Sequence, residues 1–173
     1  MKRVLAVALL LAAVLATGAT KVKRPAETIF TVAVTSDVTV DSTTAVNAGD
    51  LFFSVDAWTY YGFEFYVQFQ SLDATTEGIG ISVNGPAANF VSYIVTIAVD
   101  TTTSITNNCR EWDQFPAVTA SVDAADATLP AVIRGSVYTG SVGGTINLRF
   151  RAETDSGNDV SIKAGSYGIL RVM

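Results

Sequence analysis

The sequence predicts an all-β fold, an antiparallel β-sandwich or jelly roll of about eight to ten strands preceded by an N-terminal apolar segment. Three observations predict it. Apolar residues reach 49% while charged residues are only 16%, and Thr, Ser, Val, Ala and Gly dominate over the Lys/Glu-rich runs of long helices. Segment after segment alternates apolar and polar residues at a period of two, as in a strand with one face buried. Gly, Asn, Asp and Pro punctuate those segments. With 173 residues in all, the body (26–173) fits one domain whose core needs no disulfide or structural metal.

The first 25 residues read separately. "MKRVLAVALLLAAVLATGAT" has a basic start, an apolar run from Val4 to Ala16 and small residues at Thr17, Gly18 and Ala19, the layout of an export signal cleaved after Ala19. The run is short for a membrane span, so a membrane would be met only in transit. "KVKRP" then puts three positive charges on the side that must cross, which opposes export. The competing reading is a retained N-terminal arm packed against a partner.

Along the body, "IFTVAVTSDVTV" (29–40) places Val32, Val34, Val38 and Val40 on one parity, interrupted near Ser36–Asp37. "NAGD" (47–50) reads as a turn and "LFFSV" (51–55) as a short strand. In "YYGFEFYVQFQS" (60–71), Tyr61, Phe63, Phe65, Val67 and Phe69 form the core face. The other face is polar but keeps Tyr60 and Tyr66, a composition suited to being covered by something other than water. Ile79, Ile81 and Val83 point inward before the Asn84-Gly85-Pro86 turn. Val91, Tyr93, Val95, Ile97 and Val99 share a face of the next strand. Residues 100–116, "DTTTSITNNCREWDQFP", read as a long polar loop without periodicity. Leu129, Ala131, Ile133 and Val137, then Ile146, Leu148 and Phe150, mark two further strands; 158–173 holds two short ones split at Ala164-Gly165.

Charge and chemistry exclude several functions. From Pro25 onward six basic residues face all sixteen acids, leaving the body at about −10, poorly suited to phosphate backbones. No nucleic-acid partner is expected. The chain has no histidine and one cysteine, Cys109, so no intrachain disulfide forms and Ser–His or Cys–His catalysis is ruled out. No phosphate-binding loop or nucleophile elbow is present. A glycosidase would need a pair among acids such as Glu64, Glu111 and Asp113 at about 5–10 Å; solvated surface acids are the plainer reading. Calcium is the one cofactor with any ligands on offer, at the turns "DAADAT" (123–128) and "TDSGND" (154–159), yet these residues are ordinary turn formers. No cofactor is expected. Arg110, Glu111, Trp112 and Asp113 in "CREWDQF" are candidates for a ligand- or host-contacting loop, against a loop aromatic that packs back over the sandwich end.

Two segments carry a resemblance. "STTAVNAGDLFFSVDAWTYYGFEFYVQFQSLDATTEGIGISVNGPA" (42–87) resembles the opening half of a pattern in small β-rich structural proteins of tailed bacteriophages and prophages. "GGTINLRFRAETDSGNDVSIKAGSYGILRVM" (143–173) resembles its closing half. The element order is also similar to complement-type and tumour-necrosis-factor-like jelly rolls, with "YYGFEFYV" near the middle and "SYGILRV" closing the sheet; such domains form trimers that bury aromatic faces. The resemblance implies a non-catalytic virion subunit at the particle surface, as decoration, fibre or tail-associated protein. Its partners would be copies of itself, as a homotrimer, and other virion or surface proteins. Tyr60, Tyr66 and Gln68 are the expected interface. The alternative is a secreted bacterial or archaeal adhesion module or filament subunit, recognising a carbohydrate or surface ligand through residues 110–113.

Overall fold

A computed structural model of the chain describes residues 28–72, 77–115, 126–155 and 159–173. The signal-like or arm segment of residues 1–25 lies outside the described residues, as do 123–125 and 156–158 of the two acidic turns. The described chain is all-β: β1 Ile29–Ala33, β2 Val38–Val40, β3 Val46–Val55, β4 Tyr60–Ser71, β5 Ile79–Asn84, β6 Ala88–Ala98, β7 Ser104–Cys109, β8 Thr128–Thr139, β9 Gly144–Ala152, β10 Val160–Ile162 and β11 Tyr167–Val172.

Two antiparallel sheets make a sandwich. The larger runs β1-β11-β4-β8-β6-β7, with β10 bridging β4 and β2 beyond the end of β11; the smaller runs β3-β9-β5. The alternation read in the sequence sets the inner faces. Phe63, Phe65 and Phe69 of β4, Val95 and Ile97 of β6 and Ile133 of β8 meet Ile81, Val83, Ile146, Leu148 and Phe150, all essentially without solvent exposure. Each such side chain contributes about 1.5–3 kcal/mol by leaving water. The Phe53 and Phe65 rings, 5.6 Å apart, join the two layers.

The strands number more than expected, for identifiable reasons. "IFTVAVTSDVTV" divides because its halves pair differently, β1 with β11 and β2 with β10. At the break Asp37 accepts the Ala164 N–H and pairs with Lys163, tying this bend to the one between β10 and β11. "NAGD" is not a turn but part of β3, whose register against β9 shifts between Asn47 and Phe52. Gly49 sits at φ 56°, the left-handed geometry that lets a bulge bend a strand without ending it. Residues 100–116 are not one loop either: Asp100 Oδ1 accepts N–H groups from Thr102 and Thr103 and β7 follows, paired with β6 from Tyr93↔Cys109 to Ala98↔Ser104. That bonding holds the Asp100 carboxyl down at about 2, the Thr102 backbone N–H being the largest cause. The strand hides in the sequence because it is a sheet edge. Its inward positions are Ile105, Asn107 and Cys109, and the rest meet water.

The outer surface of β5 is covered. Gly80 and Ser82 are buried although they point away from the core, because Arg151 and Phe115 lie over Gly80. Among the described residues no comparable layer covers the outer face of the large sheet.

Candidate functional site

That outer face is built by the polar parity of β4 and its register. Glu64 stands opposite Arg134 of β8 and Ile169 of β11; Tyr66 stands opposite Val132 and Tyr167. Direct cross-strand neighbours touch, so Tyr66 and Tyr167 stack at 4.8 Å with 17° between their planes. The Arg134 guanidinium lies 5.7 Å over the Tyr66 ring and its Nε is 3.5 Å from Glu64 Oε2. The Tyr66 hydroxyl donates to Glu64 Oε2 and Arg171 donates to Oε1. Gln68 is exposed one position further along, where β4 changes partner from β11 to β10, and its N–H donates to the buried Ser166 hydroxyl at 2.9 Å.

The Glu64 carboxyl is held below the ordinary glutamate range, first by the Tyr66 hydroxyl and then by Arg171, with the charges of Arg171 and Arg134 adding. A carboxylate with a lowered folded-state pKa stabilises above its unfolded value of about 4.3 and loses that contribution as pH falls through the folded value. Wild type is therefore expected to unfold at higher urea than Glu64→Gln at pH 7, with the gap closing as pH falls below about 4.3. A gap that stays constant with pH would show that the charge plays no part.

Tyr60 does not join this cluster. Six residues of strand, about 20 Å, separate it from Tyr66. It stacks instead on Tyr138, at 4.2 Å and 12°, with the Trp58 ring 6.4 Å from Tyr138. Phe90 of β6 pairs with Tyr138 on its other side, so Tyr60, Tyr138 and Phe90 line up across three strands at one end of the sheet. Trp58, Tyr60 and Phe90 are each more than half exposed. Trp58, Tyr138 and Phe90 were not among the residues the sequence singled out. For Trp58 a signal exists: a tryptophan in a turn between two core strands has no inner face to fill.

Residues 110–113 divide into two pairs. Arg110 and Glu111 are exposed and line a groove of about 620 Å³ with Ala88, Asn89, Phe90, Val91, Ser92 and Trp112. Trp112 packs inward, its ring 6.4 Å from Phe63 and 6.5 Å from Tyr93, and its Nε1–H donates to the Pro86 carbonyl at 2.8 Å. Asp113, at φ 56°, accepts from Arg149 at 2.7 Å and from Asn84, and its N–H donates to Val83. These two clip the loop onto the sandwich. Beneath them burial raises the Cys109 thiol and pushes the Tyr93 hydroxyl up to about 12. Glu64 and Asp113 lie on opposite faces of the sandwich, each bound to an arginine. Among the described residues no three His, Cys, Asp or Glu side chains cluster as metal ligands would.

No family model matches this sequence, and no curated protein matches it. Among solved structures, the VP2 subviral particle of infectious bursal disease virus is similar over 89% of this chain and 40% of its own, at 8% identity and a TM-score of 0.26. The Gx strain of that virus is similar over 87% and 39%, at 11% identity and a TM-score of 0.23. A family two carbohydrate esterase from Cellvibrio japonicus is similar over 85% and 34%, at 9% identity and a TM-score of 0.18. The chain spans about two fifths or less of the length of these structures, and likeness at this level fixes no activity.

Proposed function

We propose that this chain is a non-catalytic structural subunit carried on the surface of a phage virion, as decoration, fibre or tail-associated protein. It assembles as a homotrimer through the outer face of the eight-stranded sheet, centred on Tyr66 and bordered by Gln68. The observation that carries this reading is the composition of that face. An outer sheet face that meets water is ordinarily polar. Here Ile29, Ile94, Val132, Ile169, Tyr66 and Tyr167 lie on it, and no strand of the large sheet contains a lysine. Tyrosine and arginine across the face, with lysine reaching it only where Lys163 meets Gln70 at its border, fit a surface that another protein covers.

The charges fit as well. Glu64 already has Tyr66, Arg134 and Arg171 around it, so it can enter an interface without becoming a buried, unpaired ion. From β1 to β7 the face spans five strand spacings, and with the length of β4 from Glu64 onward, clear of the Tyr60 end, this gives a footprint of roughly 650 Å², at the lower end of specific interfaces. A standard interface takes about 800 Å² per partner. The resemblance to phage structural proteins supplies the setting.

Sedimentation velocity of the full-length chain tests the assembly: a trimer is expected, and Tyr66→Ser is expected to shift it toward monomer. An unchanged assembly state and stability in Tyr66→Ser would sink the interface. Peptide mass spectrometry on particle and soluble fractions of a producing culture tests the setting, with the chain expected among the particles. Recovery from the soluble medium alone would favour the secreted module instead.

A further inference from the structure

We infer that the wall of rings formed by Trp58, Tyr60, Tyr138 and Phe90 is a binding site for an uncharged glycan, a pyranose ring stacking on the aromatic faces. Trp58 has a backbone φ of 53°, where glycine or asparagine is at home and a bulky residue is an outlier. Its own packing does not explain this, because it is 59% exposed. The turn is fixed by other groups. The Trp58 N–H donates to Gly140 at 2.9 Å, the Thr59 N–H to the buried Thr139 hydroxyl at 2.9 Å, and that hydroxyl to Asp56 at 2.7 Å. A turn so determined gains nothing from a tryptophan, and strained residues held by their surroundings concentrate at functional sites. What the ring offers is directed outward.

The setting decides the ligand. In the next row along the sheet stand Gly62, Ser136 and Ser92, with Arg171 paired to Gly62 and Met173 beside it, so the rings border a row of small residues that carries two hydroxyls. The Tyr60 and Tyr138 hydroxyls make no hydrogen bond among the described residues and are free to meet one. Tyr60 and Tyr138 lie face against face, so the open apolar faces are those of Trp58, tilted 50° to Tyr138, and the outer side of Tyr60; with the hydroxyl groups beside them they match a sugar, whose ring has an apolar C–H face and a polar edge. None of the four ring-bearing residues is charged at neutral pH, and the acids of the body repel anionic glycans and anionic lipid head groups. The ligand is therefore a neutral hexose or N-acetylhexosamine chain. This site stands apart from the Tyr66-centred interface and survives its failure.

Isothermal titration calorimetry of the full-length chain with cello-, malto-, manno- and chitohexaose tests it. Saturable binding to at least one is expected, little changed by added salt because no charges are paired. Trp58→Gly is expected to weaken that binding by about tenfold or more without lowering the thermal midpoint, since glycine suits the turn. Tyr138→Leu, which leaves the turn alone, should weaken it as well. The inference is overturned if none of the four binds, or if Trp58→Gly binds as wild type does. It is equally overturned if Trp58 responds only to phosphatidylcholine vesicles, or if Trp58→Gly changes only the sedimented mass.

Discussion

Replacing Gly135 by alanine is expected to destabilise the fold by about 3 kcal/mol, and replacing it by valine to abolish the native state at 25 °C. Gly135 lies midway along β8, between Phe63 of β4 and Tyr93 of β6, with its missing side chain directed into the core. A Cβ there would stand 2.4 Å from the Tyr93 Cβ, 2.6 Å from Phe63 Cζ and 2.7 Å from the Ser92 carbonyl oxygen. Two of those three belong to backbone or to the root of a side chain, so no rotamer change relieves the clash. The space is already occupied: the Phe63 and Tyr93 rings converge over the glycine at 6.3 Å, and Trp112 closes on both. Gly85 does the same for Trp112, since a Cβ there would sit 2.5 Å from the indole. Two glycines thus make the slot that three aromatic rings fill. Urea unfolding at pH 7 checks this, with Ser136→Ala, one residue along and pointing outward, as the control expected to lie within about 0.5 kcal/mol of wild type. A Gly135→Ala protein that unfolds with the wild-type midpoint would mean the rings do not pack as described.

The slot also shows what was legible in the sequence. The alternation of β4, β6, β8 and β9 is local, so their inner residues could be read one strand at a time. Phe63 and Tyr93 were core on those grounds. That they meet over Gly135 depends on register between strands dozens of residues apart, which alternation does not contain. Trp112 shows the same limit, because its surroundings are set by Gly85 and Pro86, on a turn well before it in the chain. The bulge at Gly49 and the edge strand β7 were missed because one turn residue and a run of Thr, Ser and Asn carry no apolar rhythm. On the outer face the position of Tyr66 followed from parity alone, whereas its stacking on Tyr167 needed the β4–β11 pairing. Tyr60 shared that parity yet belongs elsewhere, since distance along a strand separates sites that face the same way.

The second large effect is expected at Glu77, a carboxylate with no solvent exposure. Burying a charge is costly unless donors surround it. Here Oε1 accepts the N–H groups of Glu153 at 2.7 Å and Thr154 at 3.0 Å, and Oε2 accepts the Thr154 hydroxyl. The Glu153 N–H and the Gly78 carbonyl are bonded at 3.0 Å too, and the Ser71 hydroxyl donates to the Glu77 carbonyl. Glu77 therefore fixes the segment that leaves β9 against the one that enters β5. Glu77→Ala takes one of two acceptors from the Glu153 N–H and removes the carboxylate that the Thr154 N–H and hydroxyl donate to, and is expected to cost about 3 kcal/mol. Glu77→Gln keeps one accepting oxygen and should cost clearly less. Glu153 is the contrasting case. Burial, with Glu77 nearby, raises its carboxyl above the ordinary range against the pull of Arg151. An acid whose folded pKa is raised weakens the fold once pH exceeds the unfolded value, so Glu153→Gln should be neutral or stabilising at pH 7. Chemical denaturation of the three variants separates the two carboxylates. If Glu77→Ala and Glu153→Gln move the midpoint alike, the donors around Glu77 are not what makes its burial tolerable.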